Sequence, residues 1–300
     1  MSDCGGHCSS CGEEGCGDRQ SGPRFMAQNK KSNIKKVIGV VSGKGGVGKS
    51  SVCSMLAAEM NKRGYSVAIL DADVTGPSIP RTFGVKRGQV SGCEDGLIPA
   101  QTESGIKVMS VNLLLPEEDT PVAWRGPVVS GIISQFWNEV CWGDVDYMFV
   151  DMPPGTSDVF LTVFQSLPVD GIVTVSAPQE LVAMIVGKAV NLAGSVGVPV
   201  VGLVENMAYY ECDECGKKHY IFGEPQGAAV AEKYKIPAVA TLPLNPNVAQ
   251  LCDKGEIETY AVNGALDTVL AAVENAFREE AHEEVEEVVD EAMSEAGAEA

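Results

Sequence analysis

No run in this sequence approaches eighteen consecutive apolar residues, so none is long enough to cross a bilayer as a helix. The first residues hold neither the basic stretch nor the apolar stretch of a secretory signal. A positive footprint is missing too. The formal net charge is −19, and from Glu279 to Glu299 ten acidic residues occur with no Lys or Arg. Phosphate-backbone binding needs positive charge, so nucleic acid and anionic membrane are excluded as expected partners. No internal repeat is visible. These absences predict a soluble, cytoplasmic protein, and in that reducing setting ten cysteines read as thiols and metal ligands rather than disulfides.

What is present divides the chain in three. Residues 1–33 form a low-complexity leader with four Cys and five Gly in its first seventeen positions. Almost nothing in it could build a core, so it is expected to be flexible unless a metal folds it. Residues 34–277 alternate apolar runs with helical patterns. Strands are expected over 36–42, 66–73, 106–111, 146–155, 170–178, 198–207 and 238–244, and helices over 49–64 and 181–197. Several runs are apolar without strict alternation, the pattern of a parallel sheet covered on both faces. The expected fold is therefore α/β, a three-layer sandwich around a mostly parallel central sheet. The Gly-rich stretch 84–105 reads as a hairpin insertion. Residues from 264 begin an ordinary helix, and 278–300 continue as an acidic helix or tail, with Val285, Val288, Val289 and Met293 at helical spacing.

"GKGGVGKS" at 43–50 fits the phosphate-loop pattern G-x-x-x-x-G-K-[ST] and sits between a buried strand and a helix. Gly43, Gly45, Gly46, Val47 and Gly48 would let backbone N–H groups face phosphate oxygens at the positive end of the following helix, which Ser50 and Ser51 open. Lys49 would neutralise the β- and γ-phosphates, and Ser50 would ligate Mg²⁺. Asp71 and Asp73 end one expected strand, and Asp151 and Gly155 end another. Any one Asp alone could be a turn or a helix cap. Their joint occurrence at strand ends favours a nucleotide site.

Lys44 is not needed to hold phosphates within one subunit. With it the loop resembles those of the deviant Walker A ATPases, which read G-K-G-G-x-G-K-[ST]. The resemblance implies that two chains face each other with ATP between them and that Lys44 reaches the partner's nucleotide. It also implies that Asp73, with Asp71 beside it, positions the attacking water. Asp151 would hold Mg²⁺ through a water, Gly155 would sense the γ-phosphate through its amide, and Asn206 would read adenine.

Cys212 and Cys215 stand two residues apart in a polar, turn-prone stretch. One reading is half a zinc knuckle, completed by His219 or by leader cysteines. Another uses symmetry: two copies of one loop across a two-fold axis supply four thiolates, which suit a [4Fe–4S] cluster as well as tetrahedral zinc. The segments "SGKGGVGKSS", "LDADVTGPSIP", "AWRGP", "DMPPGTSD", "SAPQE", "VENM", "CDECG" and "IFG" together resemble the Mrp/ApbC-type iron–sulfur cluster carrier ATPases. The resemblance covers about residues 36–255. It implies a homodimer that bridges a [4Fe–4S] cluster through Cys212 and Cys215, receives it from a loading scaffold, and delivers it to apo-proteins with ATP binding and slow hydrolysis. Two departures stand out: "EPQG" follows "IFG" where the family has glycines, and Asn245 replaces the carboxylate of the family's P-L-D-P.

Cys4, Cys8, Cys11 and Cys16 in the leader partly resemble the N-terminal cluster motif of the eukaryotic cytosolic scaffolds. They are expected to bind metal, Fe–S ahead of zinc, with His7 an alternative ligand. Cys53, Cys93, Cys141 and Cys252 stand alone and read as small buried hydrophobes. The competing function is a zinc-stabilised deviant Walker A ATPase of the partitioning or positioning type, which an acidic tail and a C-x-x-C disfavour. A nitrogenase-reductase-like electron carrier would need a cysteine close to 151–158, and none lies there.

Overall fold

The first strand starts earlier than its apolar run. In the computed structural model, which describes residues 25–74, 76, 78–115, 126–155, 158–178 and 182–276, β1 spans Ser32–Val41. Ser32, Asn33 and Ile34 already pair in parallel with Gly143, Asp144 and Val145. The Ser32 hydroxyl donates to the Val140 carbonyl and accepts from the Trp142 amide, both at 2.9 Å. Lys35 and Lys36 do not end the strand because their ammonium groups leave the sheet, toward Asp146 at 2.7 Å and the Glu274 carbonyl at 2.5 Å.

The remaining strands are β2 Val67–Asp71, β3 Ser91–Cys93, β4 Gly96–Ile98, β5 Ala100–Gln101, β6 Lys107–Ser110, β7 Gly143–Asp151, β8 Gly171–Ser176, β9 Val200–Glu205, β10 Tyr210–Glu211, β11 Lys218–His219 and β12 Val239–Thr241. Helices are α1 Lys49–Lys62, α2 Ile79–Thr82, α3 Gly126–Asn138, α4 Asp158–Ser166, α5 Val182–Ser195, α6 Gly227–Lys233, α7 Pro246–Lys254 and α8 Asp267–Glu274. The central sheet has the order β12-β9-β8-β1-β7-β2-β6-β5. Its pairings are parallel except β5 against β6. β3–β4 and β10–β11 are separate antiparallel hairpins, the first inside the expected insertion.

Successive side chains of one strand enter opposite cores, as a two-residue period requires. Ile38 and Val40 join Ile69 and Phe149 beneath Val52, Leu56 and Met60 of α1. Val37 and Val41 join Leu70 and Val150 against Trp137 of α3 and Phe160 and Phe164 of α4. Two filled faces make the sandwich three-layered and explain why its strands read as continuous apolar runs.

Trp137 and Trp142 are fully buried. At about 25 cal/mol per Å² and 150–250 Å² per aromatic side chain, each contributes roughly 4–6 kcal/mol of burial. Both indole N–H groups are satisfied, by the Met26 and Phe136 carbonyls at 2.8 and 2.9 Å. The Met26 amide in turn donates to the Ser166 carbonyl at 3.0 Å, and Asn29 is buried. Residues 25–33, expected to belong to the leader, are therefore packed against the sheet-bearing domain. Cys4, His7, Cys8, Cys11 and Cys16 lie outside the described residues, as does the acidic tail 278–300.

Most expected strands overran their C-terminal ends: 66–73 became 67–71, 146–155 became 143–151, and 198–207 became 200–205. The chain leaves the sheet there to form the loops that carry Asp73, Gly155 and Asn206. β1 is the sheet's switch point, between β7 and β8, and its C-terminal crevice is where ligands bind in open α/β sheets.

Candidate nucleotide and thiolate site

Past Val41 the chain turns into the loop Ser42–Gly48 and enters α1 at Lys49. Close approach dictates two glycines. A Cβ at Gly43 would sit 2.2 Å from Ile185 Cγ2 of α5. A Cβ at Gly48 would sit 2.3 Å from Asn206 Nδ2, and Gly48 has φ +77°, the left-handed region that glycine occupies without strain. The loop lines a cavity of about 200 Å³ shared with Asp73 and Pro154. Lys44 is exposed on the loop's outer side and is not among the residues lining that cavity.

Three carboxylates converge behind the loop. Lys49 Nζ lies 2.6 Å from Asp151 Oδ1 and 3.8 Å from Asp73 Oδ2. Ser50 Oγ donates to Asp151 Oδ2 at 2.5 Å. Asp71, fully enclosed, accepts from the Ser110 hydroxyl at 3.1 Å and from the Asp73 amide at 3.2 Å. Burial, then the neighbouring Asp151 charge, pushes the Asp71 carboxyl well up. Burial also raises Asp151, against the opposing pull of Lys49 and Ser50. For Lys49, burial alone would lower the ammonium, but the Asp151 charge and hydrogen bond outweigh it and the net shift is upward. The donor set fits Mg²⁺: a hydroxyl and a carboxylate, both hard oxygens, face each other beside the phosphate cavity. An anionic phosphate entering that cavity would give Lys49 a third anionic partner, and a Mg²⁺ held by Ser50 and Asp151 would offset the added negative charge.

A second cavity, of about 330 Å³, opens on the other side of Gly48 and Ser51. Asn206, Met207, Leu242, Val248 and Tyr260 line it, a mostly apolar slot with a few polar groups that fits a nucleoside. Asn206 is buried, and its Nδ2 donates to the Val47 carbonyl at 2.9 Å, so the expected adenine reader is fixed to the phosphate loop itself. Two further contacts bear on the site. The Gly155 amide donates to the Ser42 carbonyl at 2.8 Å, so contact with a γ-phosphate requires that bond to break. Asn245 lines the slot, but its side-chain oxygen accepts from the Asn247 amide at 2.9 Å and caps α7.

The thiolate pair sits where β9 ends. After Asn206 the chain passes Met207, in a left-handed conformation with φ +55°, and forms the β10–β11 hairpin. The Cys212 amide donates to the Lys217 carbonyl at 3.0 Å and the Gly216 amide to the Cys212 carbonyl at 2.8 Å, closing a tight knuckle. Amides of Cys215 and Glu214, in that order of weight, donate to the Cys212 sulfur and lower its pKa, favouring the thiolate a soft metal needs. Cys215 is exposed. Among the described residues no three His, Cys, Asp or Glu side chains form a metal-ligating group, so His219 does not complete a site with this pair. The next turn, Tyr220, Ile221 and Phe222, is exposed and apolar.

Residues not singled out by sequence hold this arrangement. Glu205, fully buried at the end of β9, accepts from the Gln226 and Gly227 amides at 3.0 and 2.8 Å and fixes the return of the hairpin into α6. Ser110 anchors Asp71. The signal for Glu205 was legible: a lone carboxylate ending an apolar strand. Ser110 carried none. Of the single cysteines only Cys53 is a buried hydrophobe; Cys252 is half-buried beside the nucleoside slot, Cys141 is half-buried and Cys93 is exposed.

Comparison with known proteins agrees with this geometry. The chain is 46% identical over 270 residues to the iron–sulfur cluster carrier protein of Clostridium perfringens, covering 88% of this chain and 94% of that one. A solved structure, the nucleotide-binding protein of Archaeoglobus fulgidus in complex with ADP, superposes with TM-score 0.70 at 44% identity, over 76% of this chain and 89% of that one. The cell division ATPase MinD of Pyrococcus furiosus shares the fold at TM-score 0.54 and 18% identity, over 80% and 97% of the two chains. The family model described as ParA, NUBPL iron-transfer P-loop NTPase, matches residues 33–278. With its phosphate loop, converging carboxylates and paired thiols in one fold, this chain belongs to that family.

Proposed function

We propose that this protein is an ATP-dependent iron–sulfur cluster carrier. Two copies hold a [4Fe–4S] cluster between their Cys212 and Cys215 thiolates, take it from an upstream loading scaffold and pass it to apo-proteins. The observation that carries the reading is contiguity. Asn206, which is bonded to the phosphate loop, is followed within one turn by the hairpin that presents both thiols. A change at the nucleotide therefore reaches the cluster ligands through a short, clamped segment, with Glu205 holding its far end.

In this reading Lys49 binds the β- and γ-phosphates, and Ser50 with Asp151 holds Mg²⁺, which supplies charge neutralisation at the phosphates. Asp73, 3.8 Å from Lys49 at the cavity wall, would orient the attacking water. Lys44, exposed on the loop, would reach the nucleotide of the second copy. Closure of the two copies would cover Tyr220, Ile221 and Phe222 and bring the two thiol pairs together. Among the described residues nothing joins Cys212 and Cys215 to make up a tetrahedral metal site, which favours the shared cluster over an intramolecular zinc. Cys4, Cys8, Cys11 and Cys16 are proposed as a second cluster site. No described helix is long and apolar enough to cross a membrane, and a cytoplasmic location is proposed with the cysteine usage.

The test is cluster transfer under anaerobic conditions from the loaded protein to an apo-protein, with and without ATP, for wild type and Lys49→Ala. The reading expects the variant to hold its cluster and to lose the ATP-stimulated part of transfer. ATP-stimulated transfer that survives in the variant would overturn the coupling.

A further inference from the structure

We propose that Cys93 and Cys141 form a reversible dithiol–disulfide site, at the end of the sheet opposite the nucleotide, that takes a low-molecular-weight disulfide as its oxidant. The two sulfurs are 3.5 Å apart although 48 residues separate them in sequence. Both are free thiols, Cys93 exposed and Cys141 partly so. A disulfide needs about 2.05 Å between sulfurs, a closure that small side-chain rotations supply when the backbones are already in place.

Those backbones are fixed. Cys93 ends β3 and pairs with Gly96 across the hairpin turn. The Leu97 amide donates to the Glu139 carbonyl at 2.9 Å and the Cys141 amide to the Leu97 carbonyl at 2.7 Å. Asn29 Nδ2 bridges the Asp95 and Asn138 carbonyls at 2.9 and 3.2 Å, joining the hairpin turn to the end of α3. The fit is close enough that a Cβ on Gly96 would lie 1.9 Å from the Glu139 carbonyl oxygen. Neither thiol fills a core, touches the nucleotide loop or belongs to the Cys212 hairpin. Cys141 closely precedes Gly143, which pairs with Ser32 at the start of the ten-residue β1. At about 3.3 Å per residue, the phosphate loop is roughly 30 Å away.

The chemistry is thiol–disulfide exchange. The exposed Cys93, as thiolate, attacks one sulfur of X–S–S–X, expels X–S⁻ and forms a mixed disulfide. The Cys141 sulfur then attacks the Cys93 sulfur and expels the second X–S⁻. The protein gives up two electrons and two protons, the latter ending on two X–SH. Burial, then the hydrogen bond to Cys93, keeps the Cys141 thiol protonated above the ordinary range, which suits it to resolve rather than to start the exchange.

The experiment equilibrates the full chain, anaerobically, in buffers of varied reduced to oxidised glutathione, then alkylates free thiols and maps peptides by mass spectrometry. The site predicts a Cys93–Cys141 bridged peptide that rises with the oxidised fraction, reverses with excess reductant, persists in Cys212→Ala/Cys215→Ala and is absent in Cys93→Ser. Affinity for ADP should not change on bridging, and Cys93→Ser should melt with reduced wild type. Persistent glutathione adducts at Cys93 with Cys141 free would overturn the proposal. So would predominant pairing with other cysteines, or full alkylation of both thiols at the most oxidising ratio.

Discussion

Replacing Gly48 by Ala tests how the nucleotide loop is tied to the strand that leads to the thiols. The new Cβ meets Asn206 Nδ2 at 2.3 Å in a residue with φ +77°. A left-handed Ala costs about 1–2 kcal/mol. The Asn206 amide, the flexible partner, must swing away from the Val47 carbonyl, and losing that buried hydrogen bond costs about 1 kcal/mol more. The total is roughly 2–3 kcal/mol, a melting-temperature fall of about 5–10 °C for a domain of this size. In an Asn206→Ala background the clash and the bond are already gone, so Gly48→Ala should cost only about 1–2 kcal/mol, a coupling near 1 kcal/mol. Denaturant unfolding of the four proteins without nucleotide measures this directly. Gly48→Ala at equal cost in both backgrounds would refute the contact, and a cost below about 0.5 kcal/mol would refute the strain as well.

Other expectations follow from the same residues. Asp71 holds its proton to higher pH in the folded protein than in the unfolded chain, so nucleotide-free stability should fall as pH rises from about 4, the unfolded carboxylate value, toward neutrality. Asp71→Asn keeps an acceptor for Ser110 and should flatten that fall and raise the neutral-pH melting temperature; an unchanged pH profile contradicts the reasoning. Asn245→Ala removes the α7 cap and should cost about 1 kcal/mol, whereas Asn245→Asp retains it and should cost little, with thermal melts separating the two. Equal losses would place the residue's role elsewhere.

The sheet was legible because its strands are buried on both faces: "VAILD" and "GIVTVS" can be little else. The phosphate loop and its carboxylates were legible for a related reason, since each follows such a run at its C-terminal end. Strand starts were not. Ser32–Lys36 pairs with β7 despite its polar composition because the lysine side chains find partners outside the sheet. α3, opening "GPVVSG", carries helix-disfavoring glycine and β-branched residues and is held by Trp137 packing rather than propensity. Long-range partners left no sequence trace: Asn206 to Val47 and Cys93 to Cys141 both depend on how loops meet after the sheet has formed. The C-x-x-C pair was visible, and so was Glu205 as a lone carboxylate ending an apolar strand, but its partners, the Gln226 and Gly227 amides, came only from the structure.

The central claim is that two copies share one cluster through Cys212 and Cys215. It is tested most directly by isolating the protein without oxygen and determining iron, sulfide and zinc per dimer for wild type and Cys212→Ala/Cys215→Ala, alongside a thermal melt. The leader cysteines are changed to Ala in both proteins to remove their contribution. The account predicts about four iron and four sulfide per dimer in the first protein and neither in the second. Melting should be unchanged without the cluster, because the hairpin lies outside both cores. Zinc in place of iron, or iron and sulfide retained after both thiols are removed, would contradict it.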